Sequence, residues 1–189
     1  MPLTSLDARC ALIVVDLQKG VSSAPFAQPF DEVVKNCSAL ASQFRDHNLP
    51  VVLVNVAGRA PGRTEHVHPA RQVNRAADYN DLLPELDRQP QDHVVTKRTW
   101  GAFQNTGLEG YLRERGVTQV LITGCTTSAG VESTARQAHE LGFNVAIVVD
   151  AVADLNAEAH DNSINRIFPL IGETGTAAGI ESLFRARDS

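Results

Sequence analysis

Cysteine is scarce in this chain of 189 residues: Cys10, Cys37 and Cys125 each stand alone, and no Cys-x-x-Cys pair occurs. Such spacing builds neither a disulfide framework nor a zinc site, and lone thiols suit a reducing compartment, so a cytoplasmic location is expected. Cationic runs are missing too. With 17 Lys and Arg against 22 Asp and Glu, a net charge of -5 and a pI near 5.6, the chain offers no basic face to nucleic acid or to an anionic membrane. No apolar stretch approaches the ~20 residues that span a bilayer. Residues 1–9 also lack the charged start and apolar core of a signal peptide. Small molecules are the partners that remain.

What the chain has is a 43% share of hydrophobic residues, enough to bury one core, and a single domain over residues 1–189 is expected. Cys10-Ala-Leu-Ile-Val-Val15 is continuous and β-branched, as in a strand covered on both faces, and it stops at Asp16. Similar runs follow at 51–56, 93–96, 119–123 and 145–149. Between them lie helical patterns at 30–47, 107–115, 131–141 and 154–168, with a last one at 176–184. Asp154 is placed to cap the fourth of these and Pro169 to end it. Strands alternating with helices specify parallel βαβ units, so the expected fold is a three-layer α/β/α sandwich around a mostly parallel, Rossmann-like sheet. The irregular stretch 57–92 has the length of a lid, a binding loop or an oligomer contact.

In a parallel sheet, side chains at the carboxyl ends of neighbouring strands converge on one crevice. Asp16 ends the first strand, Lys97 ends the third, and Thr126-Thr-Ser-Ala-Gly130 follows the fourth. Burying a lone carboxylate costs several kcal/mol, so Asp16 needs either Lys97 or a proton. An aspartate between those two states can act as base or as proton donor.

These positions resemble the Asp, Lys, Cys triad of the isochorismatase-like cysteine hydrolases, whose fourth strand ends in Gly-x-x-Thr-x-x-Cys-Val. Here that pattern reads Gly124 to Val131, with Gly130 where the family cysteine stands. Further similarity lies in Asp16-Leu-Gln18, in Lys97-Arg-Thr-Trp-Gly-Ala-Phe103, in Val131-Glu-Ser-Thr-Ala-Arg136 and in Asp150-Ala151. The resemblance implies a cis peptide at Cys125–Thr126. It also implies that the N–H groups of Thr126 and Gly130 hold an oxyanion, a substrate carboxylate or a water. Glycine keeps the donor and removes the nucleophile, which excludes a thioester at that position. In the glycine-bearing branch of the family a vinyl ether is hydrolysed without a covalent intermediate; by that resemblance Asp16 is the general acid and Lys97 its electrostatic partner. The expected protein is therefore a hydrolase of a small, anionic substrate, and the family implies a homodimer or larger homo-oligomer. The alternatives are an inactive binding or scaffold protein and an amidase that uses Cys125.

Gln18, Arg59, Trp100 and Phe103 are the candidate substrate contacts. Arg59 and Arg63 either grip a carboxylate with a bidentate fork or stay solvated. Trp100 and Phe103 either wall the pocket, as in the family, or belong to the core. Cys125 is either a small apolar filler or, with a cation beside it, a nucleophile. His66 and His68 raise a metal question, because nicotinamidase-type relatives use an Asp and two His. Two histidines without that Asp-x-His cluster are an incomplete set, so no metal or other cofactor is expected. His139 and His160, inside helical patterns, receive no chemistry.

Overall fold

The computed structural model describes residues 2–58, 60–65 and 76–187. The apolar runs form β1 (Cys10–Val15), β2 (Val51–Val56), β3 (His93–Lys97), β4 (Gln119–Cys125) and β5 (Asn144–Ala153). A short β6 (Glu173–Gly175) has no apolar run to mark it in sequence. All neighbours pair in parallel, in the order β3-β2-β1-β4-β5-β6.

Because successive strand residues face opposite sides, β1 feeds two cores. Cys10, Leu12 and Val14 pack with α2 (Phe30–Asp46) and α7 (Ala177–Arg187). Ala11, Ile13 and Val15 pack with α3 (Leu108–Glu114), α4 (Glu132–Glu140) and α6 (Phe168–Ile171). The result is the expected three-layer α/β/α sandwich. Two short helices, α1 (Lys19–Ser22) and α5 (Ala157–Asn162), sit after β1 and β5. Among the described residues no helix is long and apolar enough to cross a membrane.

One expected element is corrected. Residues 154–168 are not a single helix: α5 starts at Ala157, passes through a wider turn at Ser163–Ile167 and re-forms as α6. Asn156 is the cap, its Oδ1 accepting Ala159 N–H at 2.9 Å. Pro169 stands in the first turn of α6, where a missing N–H costs nothing. Asp154 does not cap α5 because its carboxylate is engaged elsewhere, as described below.

From β1 the chain runs outward through β2 to β3, then returns to the other side of β1 as β4. The carboxyl ends of β1 and β4 therefore flank the topological switch point, where open α/β sheets leave a crevice. Close approach of these two strands depends on Gly124. Its φ is 104°, and a Cβ there would lie 2.0 Å from the Val15 carbonyl oxygen. The pairing of β4 with β5 shifts register at the same place, between Ile122 and Gly124. These two features direct the segment after β4 toward the end of β1.

Candidate active site

Asp16 leaves β1 with φ 54°, a left-handed conformation that Asp tolerates better than most residues. Its N–H donates to Val54 O of β2 at 2.8 Å, while Gln18 N–H donates to its carbonyl at 2.9 Å. The carboxylate is thereby carried over the strand ends. Lys97 reaches it from β3, two strands away, a span of about 10 Å that only a long side chain can help to bridge. Lys97 Nζ lies 2.7 Å from Asp16 Oδ2 and donates to Thr99 O at 3.2 Å. Both side chains are buried. Oδ1 of Asp16 is buried as well and has no hydrogen-bond partner among the described residues.

Two opposed effects act on this carboxyl. Burial destabilises the anion, the Lys97 ammonium stabilises it, and burial prevails, raising the pKa from 3.8 to about 6. Near neutral pH the group is therefore poised to gain or give a proton.

The turn after β4 completes the site. Cys125–Thr126 is a cis peptide, and the chain then winds as a wide turn through Thr127–Val131 into α4. A Cβ on Gly130 would sit 3.2 Å from Asp16 Oδ2, and equally close to Cys125 O and Val15 Cγ1. Position 130 thus touches the carboxylate. The expected convergence of Asp16, Lys97 and Gly130 is what the chain folds into.

Other candidates are placed differently. Gln18 is fully buried and its amide is spent on backbone: Nε2 donates to Val56 O and Tyr79 O, and Oε1 accepts Val56 N–H. It fastens the end of β2 to residue 79 and has no group left for a substrate. Phe103 packs toward the core beside Phe143, ring centroids 5.9 Å apart, with its N–H donating to Gln137 Oε1. Trp100 is 63% exposed. Arg59, His66 and His68 lie outside the described residues. Among the described residues no group of three His, Cys, Asp or Glu could hold a metal ion.

Cys125 is wholly buried, and its thiol donates to Asp16 O at 3.4 Å. Burial first, and then the Asp16 carboxylate, push its pKa well above the ordinary thiol range. A thiol in that state is not a nucleophile.

Two residues that sequence reasoning passed over contact the turn. Asp154, at the end of β5, accepts Ser128 N–H through Oδ2 at 2.6 Å and Asn156 N–H through Oδ1 at 3.1 Å. His160 Nδ1 and Thr127 Oγ1 share a hydrogen bond at 2.9 Å. The signal for Asp154 was available: it is a carboxylate just past a strand adjoining β4, the same argument that selected Asp16. No comparable signal marks His160, whose position depends on where α5 begins.

A separate cleft of about 910 Å³ opens at the amino ends of the strands, on the opposite edge from Asp16. Its arginines are already engaged: Arg45 pairs with Asp92 at 2.7 Å, Arg115 lies over the Tyr111 ring, and Arg9 donates to Arg115 O at 3.4 Å.

Comparison with known proteins adds a family to this geometry. A family model described as the isochorismatase domain matches residues 10–179. YecD of Escherichia coli O157:H7, an uncharacterized isochorismatase family protein, is 42% identical over 172 residues, covering 85% of this chain and 88% of its own. YwoC of Bacillus subtilis (strain 168), also an uncharacterized isochorismatase family protein, is 38% identical over 173 residues, covering 89% and 90%. The solved structure of an isochorismatase family protein from Burkholderia thailandensis superposes with a TM-score of 0.90 at 37% identity, covering 96% of this chain and 98% of that one.

Proposed function

Since the chain belongs to the isochorismatase family and is a hydrolase of that class, we propose that it cleaves a vinyl ether of the isochorismate type without a covalent intermediate. The observation that carries this reading is the buried Asp16–Lys97 pair, with a carboxylate oxygen that has no hydrogen-bond partner among the described residues, facing a glycine where a nucleophile would stand. A buried ion pair is no asset to stability in itself, so its presence at the switch point favours chemistry over scaffolding.

The reaction begins with protonated Asp16. Its proton adds to the terminal methylene carbon of the substrate, forming a C–H bond and leaving an oxocarbenium ion. Water attacks the cationic carbon and returns a proton to the Asp16 carboxylate. The hemiketal then collapses, breaking the C–O bond and releasing an alcohol and a 2-oxo acid. Lys97 holds Oδ2 and balances the charge that Asp16 acquires after giving up its proton. The Thr126 and Gly130 amides serve a substrate carboxylate or the water, and Gly130 leaves room beside the carboxylate. The buried, protonated state of Cys125 opposes an amidase built on that thiol. We also infer a homodimer or larger homo-oligomer.

Release of 2-oxo acid from isochorismate and from simpler enolpyruvyl ethers tests the mechanism. Asp16→Asn, which has no proton to give, should lower the rate by about 10²-fold or more, whereas Cys125→Ala should stay near the native rate. An active Asp16→Asn beside an inactive Cys125→Ala would assign the chemistry to the thiol. No turnover of any enolpyruvyl ether by the native protein would favour the scaffold reading.

A further inference from the structure

Thr127 and Ser128 lie inside the turn whose two ends are Thr126 and Gly130, and both are held from outside it. Ser128 N–H is taken by Asp154, 26 residues on, and Thr127 Oγ1 by His160, 33 residues on. A local cap would only start a helix. Ties of this length instead fix where the turn stands relative to β5 and α5.

The ties are also costly to build. Asp154 is 3% exposed and His160 is 9% exposed. Burying a carboxylate and an imidazole is repaid only through well-made hydrogen bonds. Asp154 makes four contacts of this kind. Besides the two N–H groups on its carboxylate, its backbone N–H donates to Gln28 Oε1 and its carbonyl accepts Ala27 N–H. Burial lowers the pKa of His160, and its ring shares a hydrogen bond with Thr127 Oγ1. On the far side of the turn, Thr134 Oγ1 donates to Gly130 O at 2.7 Å and accepts Ala102 N–H at 3.1 Å. The turn is therefore tied to β5, α5 and α4, with position 130 beside the Asp16 carboxylate.

We propose that Asp154 and His160 are positioning residues, which lock the Thr126–Gly130 turn against Asp16 and so set the solvation of the reacting carboxyl. The proposal rests on the reading of Asp16 as the reacting group. Neither residue touches the reacting atoms; each acts through one residue of the turn. If either tie is cut, the turn relaxes, water reaches Asp16, and the burial that raises its pKa is weakened.

The test needs no substrate. Carbon-13 NMR of the intact protein labelled at aspartate carboxyls gives the titration midpoint of Asp16, its signal assigned by its loss in Asp16→Asn. His160→Leu, which removes the partner of Thr127, should lower the midpoint by about one unit. His160→Asn, whose amide stands where Nδ1 stood, should restore it. Asp154→Ala and Asp154→Asn both remove a charge, but only Asn keeps an acceptor for Ser128 N–H, so the midpoint should be lower in Ala than in Asn. Either pair decides the matter if a member of the other fails to fold. A midpoint unmoved by His160→Leu, or equal in the two Asp154 variants, overturns the positioning role and leaves the reading of Asp16 standing. A native midpoint near 4 overturns both.

Discussion

At the scale of single residues, Asp16 carries the largest consequence because its two protonation states do different work. A general acid must be protonated, and with a pKa of about 6 the protonated fraction falls about tenfold per unit at higher pH. We expect kcat/KM for vinyl-ether hydrolysis to decline with that slope above pH 6, measured with a stable enolpyruvyl ether in constant-ionic-strength buffers. The same group affects stability with a sign opposite to that of a usual salt-bridged aspartate. Its folded pKa lies above the ordinary 3.8, so the native state holds the proton more tightly than the unfolded chain does. Its contribution is fully present below about pH 4 and is lost as pH rises through about 6, a change of roughly 3 kcal/mol. Urea titrations from pH 4 to 6 should show this loss in the native protein and not in Asp16→Asn. The residue pattern pointed to Asp16 and Lys97, since a charge at the end of an apolar strand is costly to bury unless an opposite charge meets it. The family resemblance pointed as well to Gln18, whose buried amide turned out to serve backbone, because polarity in sequence does not say which partner a side chain will find.

At the scale of elements, the contact between the ends of β1 and β4 rests on one missing methyl group. Gly124→Ala would combine a left-handed φ of 104° with a Cβ placed 2.0 Å from the Val15 carbonyl oxygen. The strands must separate or the residue must flip, and we expect a loss of about 3 kcal/mol or more in chemical denaturation. An unchanged midpoint would mean that β4 bends at this point without cost. The first five strands were readable to within a few residues, because continuous apolar runs bounded by polar ones have one economical arrangement in a parallel sheet, whereas β6 carries no such run. The helix after β5 was not readable. Asp154 fits a cap by local rules, yet Ser128 captures its carboxylate at 2.6 Å, and the start of α5 passes to Asn156. A long-range hydrogen bond to a turn decides that boundary, and no local window contains it.

At the scale of the whole molecule, the two apolar cores account for the faces of the sheet, while some large side chains remain uncovered. Trp100 on the loop after β3 is 63% exposed and Leu170 on α6 is 77% exposed. Leu170 belongs to the layer that contains α4. The expected homo-oligomer would give such residues a partner, and sedimentation velocity at micromolar concentration should show a dimer or larger species. A monomer at that concentration would remove this expectation. The oligomeric state has no bearing on the Asp16–Lys97 contact, which is formed within one chain.

Composition and periodicity alone were enough to specify the α/β/α layering and the parallel sheet, whereas the strand order that sets the crevice between the ends of β1 and β4 came from the folded arrangement. The layering and the sheet follow from how apolar residues must be buried along a single stretch of chain. Resemblance added the expectation that Gly130 stands where the family cysteine does. Which polar groups meet was settled by the folded arrangement: Asp16 with Lys97 across β2, Ser128 with Asp154, Thr127 with His160, and Gln18 with the backbone of Val56 and Tyr79. The strength of a hydrogen bond depends on distances of a few tenths of an ångström between residues far apart in the chain, and the order of amino acids carries no such distance until the sheet is assembled.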